Sequence, residues 1–426
     1  MRIEEIYELF IQSAGVSTDT RNIKKGAVFF ALKGDNFNGN TFAAEAIEQG
    51  AKYAIVDDET SSSSKSIIKV VNVLKTLQAL ANYHRSQFDI PIIGITGSNG
   101  KTTTKELIAT VLSAKFKVHF TQGNFNNHIG VPLTLLTMPQ STEIAVIEMG
   151  ANHIGEIADL CKIANPNYGI ITNIGKAHLE GFGGVEGVLR AKSELYQHII
   201  ANGKTVFINS QDAILFNMAK RFSDPILYPS NGDFFECKFL GSNPYVTFEI
   251  EESSYTSQLI GKYNFDNIAG ALTIGAFFKV PQNKAIEAII NYVPSNNRSQ
   301  VIKTVTNTLI LDAYNANPGS MHAAIENFAA MEAESKSVIL GDMLELGDDS
   351  TKEHETLGRL VGSKKFNAIL FCGTEIRKAA PKCIGSLYFK TKAELADYLT
   401  SNPLTNTTVL IKASRGIGLE TLVDKL

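Results

Sequence analysis

A chain of 426 residues is too long for one ordinary hydrophobic core and predicts two or three domains of about 100 to 200 residues each. With 44% apolar and 19% charged residues and a net charge of −3, it offers no basic field to nucleic acid, and no run of about 18 apolar residues suggests a membrane span. Cys161, Cys237, Cys372 and Cys383 are too scattered for a zinc site or a disulfide framework and fit buried thiols in a reducing compartment; the expectation is a soluble cytoplasmic protein with neither nucleic-acid nor membrane partners, taken as a monomer.

The start, MRIEEIYELFIQSAG, reads as an acidic amphipathic helix with no basic segment ahead of an apolar one. Up to residue 88, short apolar runs (GAVFFAL, AKYAIVD, SIIKVV) alternate with helical patterns (TFAAEAIEQG, VLKTLQALANYHRSQF), and the serines at 61–64 predict a surface loop. This first block, 1–88, is a small α/β unit.

The second block, 89–299, opens with DIPIIGIT, a β-branched run, and continues after a glycine-rich turn into ELIATVLSAKF at helical spacing. The turn, Gly97-Ser98-Asn99-Gly100-Lys101-Thr102-Thr103, sits where backbone N–H groups and a helix N-terminus converge on an anion. Lys101 would reach terminal phosphates and Thr102 would offer a hydroxyl to Mg2+. The common spacing would need glycine at 95, where this chain has Ile95.

Further strands are predicted at EIAVIEM, YGIITNI and KTVFIN, and period-two patterns over 234–260 predict a small antiparallel excursion. Glu148, at the end of EIAVIEM, is the Mg2+ candidate; the alternative is a solvated strand-end carboxylate. IITNIGKAHLEGFGG carries Asn173, His178 and Glu180 in a loop leaving a strand's carboxyl end, where a neutral imidazole would complete a second metal's shell. Lys192 and Glu194 follow on a helix, and sequence leaves Lys192 open between a site residue and an exposed lysine. Asn264 and Asn267 share one helical face and suit an adenine edge, although Asn264 would serve equally as a helix cap. Arg298 is either a phosphate clamp completed on domain closure or a surface ion-pair member.

The third block, 300–426, alternates TLILDAY, KSVILGD, AILFCG and TVLIKA with helices and predicts a doubly wound unit. Asp312 would hold ribose hydroxyls and Tyr314 would stack on a base, with Asn315, Asn317, Asp342, Glu345, Ser414 and Arg415 on the same strand-end rim, although single members of this set would serve equally as loop formers.

Together TGSNGKTTT, GNFNNHIGVPLTLL, IEMGANHIGEI, ITNIGKAHLEGFG, AKSELY, DAYNANPGSM, GDMLELG and KASRGIGLE resemble the Mur ligase family of peptidoglycan synthesis, and within it the branch that adds D-alanyl-D-alanine. The resemblance spans nearly the whole chain, since STDTRNIKKGAVFFALKGDNFNGNTFAAEAIEQGA looks like that branch's UDP-sugar domain. It implies an α/β fold in three domains: a small N-terminal UDP-substrate domain, a central phosphate-loop sheet of ATPase type and a C-terminal Rossmann-like domain. It also implies that ATP, with Mg2+, phosphorylates the terminal carboxylate of UDP-MurNAc-tripeptide, and that the amine of D-alanyl-D-alanine attacks the acyl phosphate.

By the same resemblance Lys101, Thr102 and Glu148 serve the phosphates and first cation, and His178 the second. Lys192 matches a lysine that is N-carbamylated into a metal ligand. Asn264 and Asn267 match adenine contacts, Arg298 a terminal-phosphate contact, and Asp312 with Tyr314 the nucleoside contacts. Ser17, Thr20 and Arg21 match the uridine-nucleotide end, Asn126 and Asn127 the peptide side. His128 departs from the acidic residue many members carry there. The nearest rivals are ligases adding another residue and folylpolyglutamate synthetases; from another class, a phosphate-loop ATPase switch remains open.

Overall fold

The computed structural model describes residues 1–34, 36–58, 64–176, 178–202 and 205–426. Of the serine loop expected at 61–64, residues 61–63 lie outside this set.

The amphipathic start forms the helix Ile3–Ile11, which buries Ile6 and Phe10. A four-stranded parallel sheet follows in the order Val16–Ser17, Val28–Phe30, Tyr53–Val56, Ile67–Lys69. Helix Val73–Ser86, capped by the Asn72 side chain, covers it and faces the next domain.

The central sheet has six parallel strands, ordered Ile226–Tyr228, Thr205–Asn209, Tyr168–Ile171, Ile92–Thr96, Ile144–Glu148, Val118–Phe120. Both edge strands escaped the sequence reading because three residues are too few to display a period. From Ile92–Thr96 the chain moves to one side, and from Tyr168–Ile171 to the other. The crevice between these neighbours is a topological switch point, where open α/β sheets bind ligands. Tyr245–Ile250 turns Val246, Phe248 and Ile250 inward, as its period of two predicts, within the antiparallel sheet Lys238–Ser242, Tyr245–Ile250, Ser253–Ile260. The first of these strands starts at Lys238 rather than at Phe234.

The third sheet runs Gln300–Lys303, Thr308–Asp312, Thr408–Lys412, Lys336–Gly341, Ala368–Cys372, Leu387–Phe389 and is parallel except for its first strand. Gln300–Lys303 and Leu387–Phe389 were not anticipated. All four cysteines are free and buried. No helix among the described residues is long and apolar enough to cross a membrane.

The first two sheets share a core: Phe10, Leu77 and Leu80 cluster with Val131, Leu160 and Ile163. Arg85 is buried in the same seam and donates to the carbonyls of Phe88, Ala164 and Asn165 and to Asn167. Two of these carbonyls lie at the C-terminal end of helix Glu156–Ala164, where a cation also complements the helix dipole.

Candidate active site

Strand Ile92–Thr96 is fully buried, so Ile95 belongs to the core and the phosphate loop starts at Gly97. That explains the missing glycine: the turn is shorter than the common pattern assumes. Gly97 has φ +146° and a Cβ there would lie 2.0 Å from Thr172 Oγ1; at Gly100, φ +82°, a Cβ would lie 2.6 Å from Asn267 Oδ1. Both positions need glycine because the loop is strapped to its neighbours. Asn99 N–H donates to Asn173 Oδ1 at 3.0 Å, and Thr172 Oγ1 and Asn173 Nδ2 donate to the Asn99 carbonyl.

Helix Lys101–Ser113 then projects Lys101 and Thr102 from its first turn. Lys101 curls back, its Nζ donating to the Gly97 and Ser98 carbonyls at 2.7 and 3.2 Å. Burial, with the positive charge of Arg298 adding to it, lowers its pKa to about 8 against the pull of Glu148. An arriving phosphate therefore meets a cation already seated among the loop's carbonyls.

Glu148 is 1% exposed, which removes the solvated alternative. Its Oε1 accepts from Asn126 Nδ2 at 2.8 Å and Thr102 Oγ1 at 3.2 Å, whereas Oε2 is buried without a hydrogen-bond partner. The nearest cation is Lys105, whose Nζ lies 3.9 Å from Oε2 and is itself wholly buried. An orphaned carboxylate oxygen beside a threonine hydroxyl and a phosphate loop fits Mg2+, which takes one or two carboxylates and completes its octahedron with phosphate oxygens and water. No group of three or more His, Cys, Asp or Glu able to hold a metal occurs among the described residues.

A cavity of about 480 Å3 opens over this loop and gathers residues from two domains. It is lined by Ser98–Thr103, Asn126, Asn127, His128, Glu148, His178, Asn264, Asn267 and Arg298 from the central segment, and by Asp312 and Tyr314 from the C-terminal one. That volume lies within the usual range of small-molecule sites. Gly97 shapes the loop without lining the cavity.

Several alternatives are resolved by contacts. Asn264 is not a helix cap: Lys262 occupies that position, and Asn264 Nδ2 donates to the Ile260 carbonyl while its Oδ1 accepts from Asn267. Arg298 is no surface ion-pair member; its guanidinium lies 3.7 Å from the centre of the Tyr314 ring and its buried Nε has no partner. Tyr314 thus has one face already covered, and Asp312 is already paired with Lys412 Nζ at 2.6 Å, so both expected nucleoside contacts carry a protein partner here. Lys192 is 1% exposed, which removes the surface-lysine reading. Its Nζ lies 4.9 Å from the Phe182 ring centre, outside the residues lining the cavity, and burial together with nearby Lys101 lowers its pKa to about 7.

Other residues singled out in the sequence lie outside the cavity lining. Glu194 caps helix Glu156–Ala164 by accepting from the N–H groups of Gly155 and Ala158. Asp342 is buried and accepts from Thr374 and Ile376 N–H, shaping a turn instead of the rim, and buried Ser414 ties Leu344 N–H to the Ala316 carbonyl. Their strand-end positions look alike in sequence, but the loops fold over them. Ser17, Thr20 and Arg21, expected at the uridine-nucleotide end, stand in the N-terminal domain outside this cavity, where Ser17 Oγ donates to the Asp19 carbonyl and Arg21 to the Asp19 carboxylate.

Sequence reasoning missed Lys105 and Lys412. Lys105 had a signal: it follows Lys101 by four residues, one helical turn, and so shares its face. The Lys412 signal was its place at a strand's carboxyl end beside the strand of Asp312.

Profiles of three kinds match successive parts of the chain: Mur ligase family, catalytic domain, over residues 12–85; Mur ligase middle domain over 95–275; and Mur ligase, glutamate ligase domain, over 297–415. The UDP-N-acetylmuramoyl-tripeptide–D-alanyl-D-alanine ligase of Bacillus subtilis is 35% identical over 424 residues, covering 97% of this chain and 93% of that protein. The enzyme of that name from Escherichia coli is 32% identical over 427 residues, with coverage of 96% and 93%. Among solved structures, MurF from Acinetobacter baumannii superposes with a TM-score of 0.87 at 30% identity, covering 98% of this chain and 97% of that one. MurF ligase from Thermotoga maritima, solved in complex with ADP, gives 0.85 at 28% identity over 97% of each chain.

Proposed function

The chain belongs to the Mur ligase family, and from its cavity we infer that it joins D-alanyl-D-alanine to UDP-N-acetylmuramoyl-tripeptide, using ATP, in the making of peptidoglycan precursor. The observation that carries this is one cavity uniting Lys101 and Glu148 with Asn126–Asn127 on one side and Arg298 on the other. A phosphoryl group, a carboxylate and an amine can meet there.

The residues' work is positioning and charge neutralisation, with no protein nucleophile. Backbone N–H groups of Gly100, Lys101 and Thr102, with the Lys101 side chain, would hold the terminal phosphates, since those of Ser98 and Asn99 already donate to Asn173, and Arg298 would leave the Tyr314 face to meet the transferred phosphoryl group. The tripeptide carboxylate attacks that group, giving acyl phosphate and ADP; the dipeptide amine then displaces phosphate, giving the amide. Thr102 and Glu148 would hold Mg2+, the free Oε2 supporting that reading. Mg2+ bound there would screen the repulsion between phosphate and carboxylate. His178 would serve a second cation. Lys192, its pKa lowered to about 7, keeps a large neutral fraction at neutral pH. A neutral amine can add CO2 and release a proton, which supports the carbamate role. Asn264 and Asn267 would contact adenine, Asp312 and Tyr314 the nucleoside, and Ser17, Thr20 and Arg21 the uridine nucleotide.

We place the domain limits at 1–88, 89–299 and 300–426, supported by the three larger sheets falling one in each segment. A cytoplasmic monomer is the setting proposed. The test incubates the protein with ATP, Mg2+, D-alanyl-D-alanine and each candidate UDP-MurNAc-tripeptide, recording ADP and product mass. One pentapeptide per ADP is expected. ADP release without the dipeptide would instead favour an ATPase switch.

A further inference from the structure

The loop carrying His178 runs from strand Tyr168–Ile171 to the short helix Leu179–Phe182, and the C-terminal domain grips it at several points. His178 Nδ1 hydrogen-bonds Glu345 of that domain. Two residues earlier, Lys176 Nζ pairs with Glu353 Oε1 at 2.6 Å. Between them Gly347 backs onto Glu180 so closely that a Cβ would stand 3.2 Å from its Cγ. The imidazole ring stands nearly perpendicular to that of Phe182, with centroids 6.3 Å apart.

A carboxylate only accepts, so in the neutral ring Nδ1 carries the proton and Nε2 carries the lone pair. Nε2 makes no hydrogen bond among the described residues, and His178 lines the catalytic cavity. An imidazole whose one nitrogen is anchored to a carboxylate and whose other is free is the arrangement that carboxylate–histidine–metal sites use.

We propose that Glu345 is a positioning residue: the C-terminal domain fixes the tautomer and orientation of a central-domain histidine, so the second cation's site is complete only when the two domains are closed. This rests on the reading of His178 as a ligand of that cation. Metal affinity and domain closure are then linked, each strengthening the other.

Mn2+ binding to the full chain, followed by electron paramagnetic resonance with ADP and UDP-MurNAc-tripeptide present, tests it. The wild type should bind two ions, and His178→Ala should weaken one. Glu345→Ala should weaken that ion by about tenfold or more, Glu345→Gln should recover part of the loss because its amide oxygen accepts from Nδ1, and Lys176→Ala, which loosens closure without touching His178, should weaken that ion far less than Glu345→Ala does. In turnover, Glu345→Ala should raise the Mg2+ concentration needed for half-maximal rate more than it lowers the rate at saturation. If His178→Ala binds both ions as the wild type does, the second-cation reading fails and the proposal with it. If His178→Ala loses an ion and Glu345→Ala and Glu345→Gln do not, the proposal alone fails. If Lys176→Ala matches Glu345→Ala, the contact is only a latch between domains, and the proposal is overturned.

Discussion

The central domain meets its two neighbours through different chemistry. Towards the N-terminal domain it shares a continuous apolar core, sealed by Arg85 on buried carbonyls. Towards the C-terminal domain the contacts over the cavity are polar and few: Asn317 Nδ2 to Asn99 Oδ1 at 2.7 Å, Lys176 with Glu353, and His178 with Glu345. The first seam separates only by exposing a continuous apolar core; the second exchanges polar bonds over the cavity for water and uncovers a smaller apolar contact, where Ile260 and Tyr245 pack against the C-terminal core. The difference predicts where motion belongs: the N-terminal domain is expected as a fixed wall and the C-terminal domain as the moving one, its closed position being the one that holds Asp312 over the phosphate loop here.

The largest effect should come where the closing wall meets the phosphates. Lys101→Ala should cut pentapeptide formation by about 10²–10³-fold while leaving the urea unfolding midpoint near wild type. A retained rate would remove Lys101 from the mechanism. Next, Arg85→Ala breaks the fixed seam by leaving buried carbonyls unsatisfied, and should lower unfolding stability by about 3 kcal/mol. No change in the urea midpoint would mean that the seam is looser than its contacts suggest.

A smaller effect sharpens the same contrast by pH. His84 lies in the fixed seam, donating from Nε2 to the Met138 carbonyl and bonded at Nδ1 by Tyr7. Burial holds its pKa below the ordinary 6.5 despite the Met138 carbonyl. The unfolded chain therefore binds this proton more readily, so the stability is present above about 6.5 and is lost as pH falls through the lowered folded value. His84→Phe should flatten that acid limb in unfolding titrations; an unchanged slope would assign the limb to other groups. The smallest effect belongs to the closing seam: Lys176→Ala should change stability by less than about 1 kcal/mol, read by the same unfolding curves.

Much of this was legible from sequence where neighbours in the chain are neighbours in space. The Gly97–Thr103 turn announces itself because a β-branched run and a helical period flank it, and Glu148 because it ends a buried strand. What escaped depends on distant partners. Nothing local to Glu194 says that it caps another helix, and nothing near Asp342 says that residues 374 and 376 fold over it. The pairing of Asp312 with Lys412 joins strands 100 residues apart. Asn264 looked like a cap because asparagine favours that role, and the helix began earlier than its pattern indicated.

The central contrast is tested most directly by spin labels in pairs, one pair spanning the N-terminal and central domains and one spanning the central and C-terminal domains, with distances measured before and after adding ADP, Mg2+ and UDP-MurNAc-tripeptide. The first distance should be narrow and unchanged, and the second broad without ligands and narrow with them. A first pair that moves, or a second pair that is equally narrow in both states, would contradict the account.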